Sequence, residues 1–499
     1  MARTEAKNRR VEERQEVSWT REHLQAKYND RMDQGLAFDP DLIRRYDKAG
    51  PRYTSYPTAV HFHRGFGEAE YRAWAERSNR RPDSAHDGTP SPLSLYIHLP
   101  FCAKACYYCA CNKVVTKDRS RAGPYLDRLF REVALQGALF DRSRPVDQLH
   151  WGGGTPTFIS HDEMRALMQQ TADNFTLRTD DRGEYSIEVD PREADEATIG
   201  VLRELGFNRL SLGVQDLDPV VQRAVNRIQP EEQTLAVLNA ARRHGFRSIS
   251  FDLIYGLPHQ NVERFSRTLD RIIALEPDRL SVFNYAHLPE LFKQQRRIKA
   301  ADLPSAAEKL RMLQRAIERL TRAGYVYIGM DHFAKPDDEL AVAQRRGSLY
   351  RNFQGYSTHA ECDLVAMGVT AIGKVGESYS QNLRTLEEYG AALDAGTLPI
   401  MSGIELGQDD RLRRGIISRL MCQFELDVDR IEREFEIRFP DYFERELREL
   451  AAMRADGLLD LDAASIRVRP SGKLLIRNIC MVFDRYLRMK PAQRYSKVI

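Results

Sequence analysis

No stretch of the 499-residue sequence stays apolar for the roughly 18 residues a spanning helix needs, so no membrane-crossing segment is expected. The opening, MARTEAKNRRVEERQEV, lacks the hydrophobic stretch of a signal peptide, which points to the cytoplasm. Charge of one sign is scarce too. The 75 Lys and Arg nearly balance the 72 Asp and Glu, and a net charge of +3 argues against a dedicated nucleic-acid scaffold while leaving room for a local anion site. Cysteine is limited to seven residues, yet Cys102, Cys106, Cys109 and Cys111 fall within ten positions, while Cys362, Cys422 and Cys480 are scattered. In a reducing compartment that clustering points to metal rather than disulfides. What is plentiful is hydrophobic residue, 42%, enough at this length for one large domain of the barrel class and a second, smaller unit.

Three regions follow from the pattern. Residues 1–92 form an N-terminal arm and linker: a solvated, frayed segment over 1–35, an ordered loop at GPRYTSYPTA (Gly50–Ala59), and a surface linker over 80–92. Residues 93–350 alternate short β-branched runs with helical stretches. Strands are predicted at 93–98, 147–151, 185–189, 209–214, 248–253 and 279–284, with helices carrying Val262, Phe265, Leu269, Ile272 and Ile273, and then Leu310, Leu313, Ile317 and Leu320 on one face. Six such units predict an α/β domain whose parallel sheet curls into a full or partial barrel. Chemistry then belongs at the carboxyl ends of the strands, where the unusual residues collect. Residues 351–499 lose the rhythm and read as a mostly helical C-terminal domain.

Cys102, Cys106 and Cys109 follow the first strand in FCAKACYYCACNK, which cannot be a long regular helix. Three thiolates can hold three corners of a [4Fe–4S] cluster and leave the fourth iron open to a small molecule. A zinc site built from the four cysteines is the rival reading. Gly152, Gly153 and Gly154 after the second strand permit close backbone approach to a ligand or simply make a tight turn. Glu188 is an acceptor suited to a ribose diol, or an ordinary ion-paired acid. Gln215 and Asp252 lie in otherwise apolar strands and each requires a partner.

The Cys-x3-Cys-x2-Cys spacing with Tyr108 before the last cysteine resembles the radical S-adenosylmethionine superfamily. Further segments, among them GPRYTSYPTA, YIHLPFC, LHWGGGTPT, SIEVDPRE, FNRLSLGVQD, DLIYGLP, DRLSVFNYAHLP, RNFQGYST and RNICM, are similar to those of the oxygen-independent coproporphyrinogen III oxidases over nearly the whole chain from Asp41. The resemblance implies a partial (β/α)6 radical-SAM barrel with an N-terminal arm and a mostly helical C-terminal domain. It implies oxidative decarboxylation of two propionates of coproporphyrinogen III to vinyl groups, giving protoporphyrinogen IX in haem biosynthesis. The cofactors implied are a [4Fe–4S] cluster on Cys102, Cys106 and Cys109 and two bound S-adenosylmethionines. An electron donor such as flavodoxin or ferredoxin and a monomeric state go with it; nucleic acid and membrane do not.

Carried over by position, Tyr96, Gly153, Glu188 and Ile372 match contacts to the cluster-bound S-adenosylmethionine. Tyr108, Gly154, Thr155, Gln215, Arg227, Asp252 and Ala286 match contacts to the second one, with Tyr108 standing where members of the family carry phenylalanine. Arg52, Tyr53 and Tyr56 are expected to meet the substrate's propionates. Cys111 is expected to be a catalytic thiol, with a fourth ligand or a buried inert thiol as alternatives. The competing function is the haem chaperone branch of the same superfamily, whose members resemble this motif but have phenylalanine at the position of Cys111 and tend to lack the arm and the RNICM tail.

Overall fold

The computed structural model describes residues 35–80 and 90–489, so most of the expected frayed arm and surface linker lies outside the described residues. The six predicted strands are present: β1 (Leu93–Leu99), β2 (Pro145–Gly153), β3 (Glu184–Val189), β4 (Arg209–Gln215), β5 (Ser248–Tyr255) and β6 (Arg279–Asn284). They lie parallel in sequence order. Beyond β6 the sheet turns antiparallel through β7 (Val326–Gly329) and β8 (His332–Ala334), with β8 next to β6.

Side chains alternate along each strand, and the two faces differ in kind. One face presents Leu95 and Ile97, Leu149 and Trp151, Leu210 and Leu212, Phe251 and Leu253, all at most 2% exposed. These pack under the helices. α1 (Gly123–Gly137) and α2 (His161–Asn174) follow β1 and β2, and α2 starts with a reciprocal cap in which Ser160 and Glu163 bond each other's backbone N–H. α3 (Glu196–Glu204) and α4 (Glu231–Arg243) continue the ring. α5 (Val262–Ala274) is capped by Asn261 and buries Phe265, Leu269 and Ile272 completely. α6 (Ala306–Arg322) buries Met312, Ala316, Ile317 and Leu320.

The opposite face is polar. Tyr96, His150 and Ser186 share one register row, and Asp252, Ser281 and His332 share another. A closed barrel of this kind usually fills its interior with branched apolar side chains. An interior lined by hydroxyls, imidazoles and carboxylates instead is built to receive a polar ligand.

The sheet does not stop at residue 350. β9 (Asp363–Met367) pairs parallel with β1 on its free side, and β10 (Ile372–Val375), β11 (Ser378–Asn382) and β12 (Ile400–Glu405) extend it antiparallel. From α7 (Gln408–Gln423) onward helices dominate, α8 (Ile476–Val482) and the short helix Arg485–Met489 closing the described chain, around a small sheet and a hydrophobic core of its own. Tyr46, Tyr53 and Tyr56 of the N-terminal arm belong to that second core. No helix of the described residues is long and apolar enough to cross a membrane.

Candidate active site

The cysteine loop leaves β1 through Phe101 and Cys102 and is fastened on three sides. The Gly154 N–H donates to Leu99 O at 2.9 Å and the Thr155 N–H to Phe101 O at 2.7 Å. Tyr107 N–H donates to Val225 O at 2.9 Å, and Asn226 Nδ2 to Ala105 O at 2.8 Å, from the segment after β4. From beyond β6, Gln294 donates to Cys109 O, while Gln295 Nε2 reaches both Tyr108 O at 3.0 Å and Ala286 O at 3.3 Å. The loops after β1, β2, β4 and β6 thus meet at one rim.

The glycine run allows this approach. A Cβ on Gly154 would lie 2.6 Å from Phe101 O, and Gly153, at φ +122°, would drive one to 2.9 Å from the His98 ring and Leu99 O. Only glycine meets both demands. The Gly153 N–H in turn donates to Glu188 Oε2 at 3.2 Å, and His150 Nε2 lies 3.5 Å from Glu188 Oε1. Burial raises the Glu188 carboxyl, but His150 and that N–H more than offset it, so the group sits below its usual range and is ionised. Its side chain remains 46% exposed although it stands deep in the fold, so it borders an open cleft. The Tyr96 ring stacks on His150 at 5.9 Å, and its hydroxyl meets His98 Nδ1 at 3.0 Å.

Arg227 is buried and donates to Gly213 O at 2.6 Å, to Asp190 Oδ2 at 3.1 Å and to Cys106 Sγ at 3.5 Å. Arg192 donates to the same sulfur at 3.5 Å. Burial pushes Asp190 up, but the two guanidiniums hold its carboxyl down at about 2. Asp252 goes the other way: burial and then Glu188 raise it to about 6, against the hydrogen bond from Ser211 at 3.0 Å. Gln215 closes β4 in a left-handed turn, φ +68°, and Ile372 starts β10 at the same rim, because β10 runs back beside β9.

Three thiols with N–H and O–H donors around them suit an iron–sulfur cluster. Thr155 Oγ1 lies 3.6 Å from Cys102 Sγ, and the Cys111 N–H 3.4 Å from Cys109 Sγ. A hydrogen bond from Cys111 is the main cause lowering the Cys109 thiol, and the same contact raises the Cys111 thiol. Among the described residues, the His, Cys, Asp and Glu side chains whose ligand atoms gather three within 4.8 Å are His359, Glu361 and Cys362. Cys102, Cys106 and Cys109 do not form such a group.

The comparisons agree with this geometry. The family model described as "Radical SAM superfamily" matches residues 96–272, and "HemN C-terminal domain" matches residues 406–475. An oxygen-independent coproporphyrinogen III oxidase of Pseudomonas aeruginosa is 56% identical over 464 residues, covering 93% of this chain and 99% of that one. The chain belongs to the oxygen-independent coproporphyrinogen III oxidases. The Escherichia coli member is 51% identical, covering 93% of this chain and 99% of its own length. The solved structure reported as "Coproporphyrinogen III oxidase (HemN) from Escherichia coli is a Radical SAM enzyme" superposes with a TM-score of 0.85, covering 91% of this chain and 100% of that one. A coproporphyrinogen III oxidase of this family is a radical enzyme that uses a [4Fe–4S] cluster and S-adenosylmethionine, and Cys102, Cys106 and Cys109 are closely spaced thiols within the matched segment here.

Two expected substrate residues face elsewhere. Tyr53 and Tyr56 are 4% and 2% exposed; the Tyr53 hydroxyl donates to Asp484 Oδ2 at 3.0 Å, and the Tyr56 hydroxyl accepts the Arg485 N–H at 3.2 Å. They hold the arm against the C-terminal core, since a buried hydroxyl takes whatever partner its packing supplies. Arg52 points back toward the barrel and pairs with Asp331. His150, Arg192, Gln294 and Gln295 were not singled out from sequence. The polar alternation in LSLYIH and DQLHW is the signal that marks His98 and His150 as interior-facing.

Proposed function

We propose that the chain carries out the anaerobic oxidative decarboxylation of two propionates of coproporphyrinogen III, giving protoporphyrinogen IX. The observation that carries this reading is the convergence of Cys102, Cys106, Cys109, Gly153 and Glu188 at one rim above a polar interior. When bound, the cluster and S-adenosylmethionine supply one-electron cleavage of the sulfonium and a carbon radical able to take a hydrogen from a propionate. The protein's residues orient and protect. Gly153 and Gly154 bring backbone polar groups to the ligand, and Glu188, ionised and open to the cleft, accepts from its ribose hydroxyls, with Tyr96 and Ile372 at its flanks. Tyr108, Gly154, Thr155, Gln215, Arg227, Asp252 and Ala286 are the residues proposed to hold a second S-adenosylmethionine. Cys111, whose N–H meets Cys109 Sγ, is the thiol proposed to exchange a proton with the substrate.

The reading further expects a one-electron donor such as flavodoxin or ferredoxin, a monomer, and a cytoplasmic setting. Anaerobic incubation of the reconstituted protein with S-adenosylmethionine, reductant, cell extract and coproporphyrinogen III tests it. Mono- and divinyl products by mass are expected. Tight haem binding without any decarboxylated product would favour the chaperone reading instead.

A further inference from the structure

The polar interior carries a second cluster that the cofactor-binding residues leave unused. Arg351 is 6% exposed, lies 4.8 Å from the centroid of the Tyr356 ring, and donates from Nε to Arg52 O at 3.4 Å. It makes no ion pair among the described residues, and its Nη1 is buried without a hydrogen-bond partner. Buried guanidiniums are normally paired with a carboxylate, because the desolvated charge is otherwise among the costliest groups a fold can carry. Arg52 stands beside it, joined to Asp331, with 39% of its side chain open. His332 packs edge-on to the same Tyr356 ring at 5.2 Å, and its Nδ1 is likewise buried and unpartnered. Arg477, the third guanidinium nearby, is taken up with the arm, donating to Pro51 O at 2.9 Å and to Gly50 O.

The cluster shares the face of the sheet that bears the proposed cofactor pocket. His332 is in register with Ser281, and Ser281 with Asp252, so only β6 lies between His332 and a residue assigned to that pocket. Planar guanidinium forks match a carboxylate in two-point contact, and an ordered Arg loses less freedom in making it than Lys. Pairing with a guanidinium also stabilises the ionised carboxylate, which opposes loss of carbon dioxide.

We propose that Arg351, with Arg52 beside it, is the seat for a substrate carboxylate, holding a propionate that stays intact while another is decarboxylated. This rests on the porphyrinogen reading above. Asp331 keeps Arg52 oriented toward the seat, and His332 Nδ1 is placed at its edge.

The test is equilibrium binding by the anaerobic reconstituted protein of coproporphyrinogen III and of its tetramethyl ester, together with thermal unfolding. Arg351→Met is expected to weaken the tetra-acid by at least about 30-fold. It should leave the ester's affinity unchanged and keep or raise the melting temperature, since an unpaired buried charge is removed. Arg351→Lys, which keeps the charge without the fork, should lose about tenfold for the tetra-acid alone. Equal tetra-acid affinity in wild type and either variant overturns the seat, as does parallel loss of acid and ester with a lowered melting temperature, the mark of a structural arginine. Should Arg351→Met fail to fold, the cation is needed for the fold and the seat is overturned on that ground. Wild-type turnover with unaffected variants removes only the seat; a wild type that neither binds nor turns over the porphyrinogen removes the function reading with it.

Discussion

Cys111 is exposed where Cys102 and Cys106 are buried, and it contacts Cys109 through both its N–H and its thiol. A cluster held by three thiolates needs its fourth iron free, so Cys111→Ser should retain full iron and sulfide content while losing most turnover. Iron analysis beside product formation checks this, and loss of iron to the extent seen in Cys109→Ser would make Cys111 a ligand. At this scale the sequence was most legible where chemistry demands fixed residue types at fixed spacing, as in the cysteines and in Gly153, whose φ of +122° no other residue tolerates easily. It was least legible where direction matters. Tyr53 and Tyr56 sit in a loop, which has no periodicity to say which side faces the barrel, and their partners Asp484 and Arg485 are more than 400 positions away. Arg351 escaped notice for a related reason, since an orphaned charge is defined by what fails to surround it.

Among elements, the six parallel strands fall within a few residues of their predicted places, because period-two alternation is a local property of the chain. β9 was not legible. Its partner β1 is about 270 residues away, and the short run DLVAM carries no mark of that pairing. Arg144, fully buried at the entry to β2, is what ties the two regions. It donates to Asp363 Oδ2 at 2.6 Å at the start of β9, to Ser91 O at 2.6 Å before β1, and to Ser78 Oγ at 2.9 Å. Arg144→Met should therefore destabilise the protein by about 3–5 kcal/mol, because Asp363 is left buried and unpaired. Chemical unfolding measures this, and Arg144→Met with Asp363→Asn should recover part of the loss. A neutral single variant would show that β9 does not depend on the pair.

Glu132 on α1 makes a second joint, accepting the Gly368 N–H at 2.7 Å, the Tyr389 hydroxyl at 2.6 Å and Asn382 Nδ2 at 2.7 Å. Burial outweighs these bonds and raises its carboxyl from 4.5 to about 7. A carboxyl whose folded pKa exceeds its unfolded value takes up a proton on folding, so its contribution is greatest below pH 4.5 and declines as pH rises toward 7. Wild type should accordingly gain melting temperature relative to Glu132→Gln as pH falls from 7 to 4.5. Parallel curves for the two proteins would contradict the assignment.

For the whole molecule, the arm, the barrel and the C-terminal core make one arrangement around a polar interior. The arm is pinned outside by Tyr46 to Asp456 at 2.6 Å and Tyr53 to Asp484, which leaves Arg52 turned inward beside Arg351. The rim loops then bring three thiols and a carboxylate over one end of the interior, and the cationic cluster borders the same space. That division of labour, a radical source at the rim and anchoring cations beside it, is the central claim. It is tested most directly with coproporphyrinogen III carrying deuterium at the β-carbons of its propionates, incubated anaerobically with the reconstituted protein, S-adenosylmethionine, reductant and a cell extract to take the electron released on decarboxylation. Deuterium should appear in the 5′-deoxyadenosine produced, alongside vinyl products; vinyl products formed with unlabelled 5′-deoxyadenosine, or with none, would contradict the account.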